Sequence, residues 1–146
     1  MTSRFRAEDI QRMMEHLRAM GAPFGITFAD RPMLSNSRLA LLAAESAREQ
    51  GKFQAFHEAV FAAYFSQGID IGDLDALKQI ATDAGLDADA MAEAVTRGKH
   101  LPMLETAKEE AARLGVTGVP TFFIDEKRSI VGSQSLEVFR KTLRSR

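Results

Sequence analysis

The sequence contains no cysteine and no tryptophan, and it carries only a small excess of charge. Without cysteine, none of its 146 residues can form the thiolate that thiol–disulfide exchange requires, and zinc sites built from cysteine are excluded as well. The 19 basic and 20 acidic residues leave a net charge of −1, so the chain has no basic field with which to bind nucleic acid.

Long apolar runs are also missing. No stretch of about 18 apolar residues occurs, so we expect no membrane-spanning helix. Residues 2–6 include no apolar stretch followed by a cleavage site, which favours a cytoplasmic protein. A 146-residue chain with 45% hydrophobic residues can bury a core, and we expect one domain over residues 1–146.

Helical spacing of apolar residues dominates the chain from about residue 7 to residue 114. The start signals are Ser35 or Asn36, Asp73, Asp87 and Pro102, each at or just inside the start of an apolar repeat. We expect seven of the apolar residues to face inward: Leu39, Leu42, Ala43, Ala47, Leu104, Ala107 and Ala111. The other helical segments carry Ile10, Met13, Met14, Leu17, Met20, Leu74, Leu77, Ile80, Ala81, Met91 and Val95.

The densest aromatic face lies in residues 52–66 and allows two interpretations, a helix core or a site for an apolar ligand. The spacing of these aromatic residues is typical of core helices, so the prediction is core. The three histidines, His16, His57 and His100, lie on separate helical segments without a partner at helical spacing, so we expect no metal site. For His57, a surface role is favoured over that of a general base, because no nucleophile is identified.

The most specific motif is the segment from Gly115 to Asp125, which reads GVTGVPTFFID. A helical pattern ends at Gly115, a short loop follows, and β-branched and aromatic residues then indicate a strand. Pro120 suits the entrance of that strand because proline has no N–H for the ladder. We predict a hairpin over residues 121–131 with its turn near 126–127, then a helix from about Ser135. That final helix is expected to cover one side of the hairpin with Leu136, Phe139 and Leu143.

Residues 115–143 resemble the C-terminal half of a thioredoxin-like domain of the DsbA family. They are most similar to its FrnE-like branch and to the related 2-hydroxychromene-2-carboxylate isomerases and kappa-class glutathione transferases. The resemblance implies an α/β fold that is predominantly helical, a partial thioredoxin-like (DsbA-type) fold. It also implies a helical portion over about residues 7–114, in which about residues 25–86 correspond to the family's helical insertion, a C-terminal hairpin plus helix over about residues 115–146, and a cis bond before Pro120.

The family's opening unit has no counterpart in this sequence. That unit is a strand leading into C-x-x-C, or into a serine-bearing equivalent, followed by a helix and a second strand. We therefore expect the chain to correspond to the later two-thirds of a family member.

The resemblance implies substrate-binding roles for Gly118, Val119, Pro120 and Thr121. In the family this loop offers its main chain to an extended peptide or to glutathione. Asn36 has two interpretations: a helix N-cap, or, by resemblance to the isomerases and transferases, a residue near the glutathione-binding region. We predict no catalytic residue, no metal and no cofactor, with glutathione as an alternative ligand.

Three functions therefore remain open. The first is a DsbA/FrnE-like thiol–disulfide oxidoreductase family protein without independent redox activity. The second is a relative of the glutathione-dependent isomerases and transferases, and the third is a non-catalytic peptide-binding or dimerisation module. Because a two-stranded ribbon leaves a strand edge unpaired, we also expect a homodimer that pairs or exchanges these edges.

Overall fold

The computed structural model describes residues 6–30, 35–125 and 128–144. Within these ranges the chain is mostly helical, with one two-stranded sheet. The helices are α1 (Ala7–Gly21), α2 (Arg38–Glu49), α3 (Phe53–Phe61), α4 (Leu74–Asp83), α5 (Ala88–Thr96), α6 (Leu101–Arg113) and α7 (Leu136–Arg144), and the strands are β1 (Thr121–Ile124) and β2 (Arg128–Val131). A 3₁₀ turn, Ala22–Phe24, follows α1, and a π-helical turn, Ala62–Ser66, continues α3.

The chain divides into two compact units, Met1–Leu104 and Glu105–Arg146. We call them the helical unit and the C-terminal unit. The expectation of one domain over residues 1–146 stays a prediction. No described helix is long and apolar enough to cross a membrane.

Two predicted helix starts are confirmed in the helical unit. The Asp73 carboxylate accepts a hydrogen bond from the Asp75 N–H at 3.1 Å and caps α4. The Asp87 carboxylate accepts from the Ala90 N–H at 2.9 Å and caps α5. Both carboxylates satisfy an amide that the helix itself leaves without a partner, so short polar residues mark these helix starts in the sequence.

The core of the helical unit lies where α2 packs against α3, α4 and α5. Phe56, Leu77 and Met91 are its largest fully buried side chains. The inward positions predicted for α2 are confirmed at Leu42, Ala43 and Ala47. The apolar residues at helical spacing in α4 and α5 are buried at Leu77, Ile80, Ala81, Met91 and Val95.

One predicted inward position is wrong, because Ala107 of α6 is exposed. Along the apolar stripe of α1, Ile10 and Met14 are buried, whereas Met13 and Met20 are exposed. Apolar spacing predicts which side of a helix is buried. How much of that side is buried depends on the elements that pack against it.

The C-terminal unit contains the hairpin and α7. β1 and β2 pair antiparallel, with Thr121 opposite Val131 and Ile124 opposite Arg128, as the hairpin prediction requires. Phe122 contacts Phe139 of α7 edge to face, with ring centroids 5.0 Å apart, so α7 does cover one side of β1. The predicted turn at 126–127 lies outside the described residues.

The two leucines predicted to share that packing do not do so. Leu136 is 62% exposed and Leu143 is 61% exposed. A helix of nine residues on a two-stranded ribbon has little surface to cover, and Phe139 provides the ring contact with β1.

Candidate functional site

The proline loop, residues 118–121, joins α6 to the hairpin and carries four of the predicted site residues. The Val119–Pro120 peptide bond is cis. The Thr121 hydroxyl donates a hydrogen bond to the Gly118 carbonyl at 2.6 Å, which closes the loop on itself. Val119, at the tip, is 87% exposed.

The hydrogen bonds of the hairpin alternate along β1. The Gly132 N–H donates to the Pro120 carbonyl at 2.7 Å, so this pair belongs to the bonded set. In an antiparallel ladder the bonded pairs recur at every second residue. With the observed register, the main chains of Phe122 and Ile124 are therefore the ones that point toward β2.

It follows that the main chains of Thr121 and Phe123 point away from β2. Within the described residues no strand lies beside this edge, and no hydrogen bond reaches the N–H or the carbonyl of Val119. Thr121 and Phe123 thus present donors and acceptors at the spacing of a β-strand, with the unbonded N–H and carbonyl of Val119 just before them, and an extended chain can pair with this edge.

Asn36 lies in the helical unit, at the start of α2. Its carboxamide oxygen accepts a hydrogen bond from the Arg38 N–H at 3.0 Å. The N-cap position itself falls on Ser37, whose side chain makes no capping bond, so the capping interaction comes from one residue earlier. The side chain of Asn36 is exposed, and its oxygen serves the helix start.

The three histidines have different surroundings. His57 lies half-buried between the rings of Phe53 and Phe61, at centroid distances of 5.4 and 4.5 Å. His100 is 5% exposed, and its Nε2 lies 3.6 Å from the Glu49 carboxylate without a hydrogen-bond partner among the described residues. No group of three or more metal-binding side chains is found in the part of the chain that the structure describes.

Glu49 and Lys99 form an ion pair next to His100. The Lys99 ammonium donates to the Glu49 carboxylate at 2.7 Å, and this hydrogen bond lowers the pKa of that carboxyl. Both groups are exposed, so the pair is of the kind that contributes little to stability.

The prediction that the aromatic face of residues 52–66 forms core is only half right. Phe56 and Val60 are buried, but Phe61 is 51% exposed. His57, Phe61, Tyr64 and Phe65 line a cavity of about 490 Å³ in the helical unit. Helical spacing shows that two stripes of this segment are apolar, but it does not show that only one of them is covered.

The arrangement around the proline loop suits binding rather than bond making. Its polar groups are main-chain amides and one hydroxyl, and that hydroxyl already donates to Gly118. No thiol exists anywhere in the sequence to take part in a disulfide.

Comparison with known proteins identifies the family. The sequence model of the DSBA-like thioredoxin domain matches residues 2–144. The chain belongs to the DSBA-like thioredoxin domain family. This DSBA-like chain also resembles the crystal structure of a probable DsbA oxidoreductase from Streptomyces coelicolor, with a TM-score of 0.78 and 27% identity. That likeness covers 95% of the DSBA-like chain and 61% of the other chain.

Two curated relatives match parts of the sequence. The uncharacterized protein YwbO of Bacillus subtilis (strain 168) is 32% identical over 98 residues, which is 66% of this DSBA-like chain and 48% of YwbO. The 2-hydroxychromene-2-carboxylate isomerase of Sphingobium xenophagum is 36% identical over 85 residues, 58% of this chain and 44% of the isomerase. The DSBA-like chain therefore spans about half the length of the curated relatives it matches.

The family and the fold predicted from the sequence are confirmed by these matches. The chain is a mostly helical DSBA-like protein with a small two-stranded sheet, and it has no cysteine. The similarity to the isomerase gives weaker support to the second functional interpretation, because it covers less of the chain than the family match does.

Proposed function

We propose that this chain is a binding member of the thiol–disulfide oxidoreductase family that performs no disulfide exchange of its own. Its ligand is an extended peptide, which pairs with the main chain of residues 118–121 as an added strand. Glutathione, a short peptide with the same main-chain groups, is the alternative ligand. Gly118, Val119, Pro120 and Thr121 are the proposed binding residues.

One observation carries this proposal. Val119 is 87% exposed, and its N–H and carbonyl have no hydrogen-bond partner among the described residues, at the start of a strand edge with no neighbour. An extended peptide gains affinity from such an edge through main-chain hydrogen bonds. The Thr121 hydroxyl, which donates to Gly118, would hold the loop in the geometry that the ligand meets.

Redox inactivity follows from the composition. Disulfide exchange needs a thiolate that attacks one sulfur and another sulfur that leaves as a thiolate, and this sequence supplies neither. Insulin reduction by dithiothreitol should therefore run at the uncatalysed rate with this chain present. Turnover by the purified chain would overturn this part of the proposal.

Peptide binding can be tested by amide NMR. A cysteine-free peptide of high strand propensity should shift the amides of Val119, Thr121 and Phe123 more than those of Phe122 and Ile124. The same peptide with N-methylated central residues cannot donate, so it should bind much more weakly. Equal binding of the two peptides, or shifts confined to other residues, would contradict main-chain pairing.

The loop itself can be tested with a matched pair of variants. Thr121→Val removes the hydroxyl that donates to Gly118 but keeps the branched shape, whereas Thr121→Ser keeps the hydroxyl. The loss of one hydrogen bond should weaken peptide binding by roughly 2- to 12-fold in the valine variant. The serine variant should stay close to the original chain, and the reverse order would argue against a positioning role.

Glutathione is tested in a separate titration. If Asn36 contributes to a glutathione site, as in the isomerase and transferase interpretation, Asn36→Ala should weaken glutathione binding and leave the binding of the extended peptide unchanged. The 36% identity over 85 residues with the isomerase is the observation that supports this second candidate. No shift of any amide by glutathione would remove it.

A second copy of the chain is a further occupant of the same edge, and we propose a homodimer formed by pairing of β1 edges. Phe123 and Val131 of the hairpin are 48% and 45% exposed, as expected for a surface that pairs with another molecule. Light scattering should then show a mass that rises with concentration and falls when the strand-forming peptide is added. A monomer at all concentrations would exclude the dimer and leave the peptide site intact.

Cytoplasmic location also stays a prediction, which cell fractionation can test.

A further inference from the structure

The described residues that line the cavity in the helical unit all lie between Ser35 and Ile71, and none of them belongs to the proline loop. The cavity volume of about 490 Å³ lies within the range of roughly 300–1,000 Å³ that is usual for small-molecule sites. One wall is α2, with Ala40, Leu41 and Ala44, and the facing wall is α3 with its π-helical continuation.

The α3 wall is a continuous row of contacting rings, tilted relative to one another. Residues 57, 61 and 65 follow one another at a spacing of four, which places them on one helix face. The His57 and Phe61 rings lie 4.5 Å apart between centroids, and the Phe61 and Phe65 rings lie 5.6 Å apart. Tyr64 and Phe65 both lie in the π-helical turn Ala62–Ser66 and both line the cavity, with their rings edge to face at 4.7 Å between centroids. Such turns occur frequently at functional sites.

The chemistry of the lining selects the ligand. Among the described residues that line the cavity there is no Asp, Glu, Lys or Arg, so the described lining supplies no carboxylate, ammonium or guanidinium to pair with a charged group. The polar groups are few and belong to Ser35, Ser37, His57 and Tyr64. Burying an ion without a partner is costly, whereas rings stack favourably on rings.

We infer that this cavity binds a flat, uncharged aromatic molecule, which stacks on the ring face of His57, Phe61 and Phe65 and lies against Leu41 of α2. Phe61 and Leu41 are each 51% exposed, which is much for large apolar residues that face each other across a cavity. A stacked ligand would cover both.

The test uses two probes that differ by a single charged group. N-phenyl-1-naphthylamine is uncharged, and 8-anilinonaphthalene-1-sulfonate has the same rings with an added sulfonate. The uncharged probe should bind saturably with a rise in fluorescence, and it should bind more tightly than the sulfonate. Tighter binding of the sulfonate, or a signal that does not saturate, would overturn the proposal.

Leu41→Lys is the variant that reports on the cavity. Leu41 is half-exposed on a helix, so the lysine can be accommodated without loss of the core. This substitution should lower the affinity for the uncharged probe by about fivefold or more, because apolar contact is lost. It should also raise the affinity for the sulfonate relative to that for the uncharged probe. Leu143→Lys makes the same change at a 61% exposed position of α7 and is the matched control, for which both affinities should stay unchanged.

A second variant tests the stacking itself. Phe61→Leu keeps the site apolar but removes one ring, and it should weaken the uncharged probe by roughly 2- to 12-fold. Circular dichroism of each variant checks that the helices are retained. Unchanged binding in both Leu41→Lys and Phe61→Leu would place the probe elsewhere and overturn the proposal. So would binding that weakens as the chain concentration is raised, because a second copy would then fill the cavity.

Discussion

The helical unit and the C-terminal unit differ in how much they bury. The helical unit has a cluster of fourteen buried residues from Ala40 to Val95, whereas Ile130 is the single buried apolar side chain of the C-terminal unit among the residues described. The C-terminal unit instead exposes large apolar residues: Leu114, Val119, Phe122, Phe123, Val131, Leu136, Val138 and Leu143. One unit therefore carries its own core, and the other offers surface and an open strand edge, which is what a binding element needs.

Replacing one phenylalanine in each unit should give the largest contrast. Phe56 is fully buried in the helical unit, so Phe56→Ala should lower the free energy of unfolding by about 3–5 kcal/mol. Phe122 is 42% exposed and has one ring partner, Phe139, so Phe122→Ala should cost about 1–2 kcal/mol.

The measurement is urea denaturation followed by the helix signal in circular dichroism, with the slope checked for each variant. Phe24→Ala, at a position that is 80% exposed, is the control and should change little. Equal losses for Phe56→Ala and Phe122→Ala would show that the hairpin is buried as deeply as the core, contrary to the comparison.

The sequence predicts well those features that depend on residues close together in the chain. Asp73 and Asp87 mark helix starts because a cap satisfies amides two or three residues away, which is a local effect. The sequence predicts the hairpin equally well, because Gly115, Pro120 and the β-branched run each favour a particular backbone conformation at their own positions.

What the sequence does not determine is which apolar face finds a neighbour. Phe56 and Phe61 belong to the same aromatic stretch and both line the cavity, yet Phe56 is fully buried whereas Phe61 is 51% exposed. Apolar spacing marks both positions but does not say which of them a neighbouring helix covers. Asn36 shows a smaller error of the same kind. Its predicted role at the helix start holds, but the N-cap position falls one residue later, on Ser37.

Helix caps provide a second comparison of the units, with a smaller effect. The Asp87 carboxylate accepts from Ala90 at 2.9 Å in the helical unit, while the Ser135 hydroxyl accepts from the Val138 N–H at a longer 3.4 Å before α7. Asp87→Ala should cost about 1 kcal/mol, and Ser135→Ala should cost less. Urea denaturation measures both, with Asp83→Ala, a carboxylate at the last position of α4, as the control. A larger loss for Ser135→Ala would mean that α7 depends on its cap more than its geometry indicates.

The smallest effect is electrostatic and belongs to the helical unit. Lys78 of α4 donates to the Asp89 carboxylate of α5 at 2.7 Å, and this hydrogen bond lowers the pKa of Asp89 and raises the pKa of Lys78. Because the Asp89 pKa is lowered on folding, the pair stabilises the fold above the ordinary aspartate pKa, and this contribution is lost as the pH falls through the lowered value. Because the Lys78 pKa is raised, the contribution is also lost at alkaline pH, as the pH rises through the raised value.

Carboxyl NMR should show that Asp89 titrates below an ordinary aspartate. Lys78→Gln should return the Asp89 pKa to the ordinary range, while Lys52→Gln should leave it unchanged. Because Asp89 is 87% exposed, salt should diminish the shift, and a shift that persists in high salt would contradict a screened surface pair.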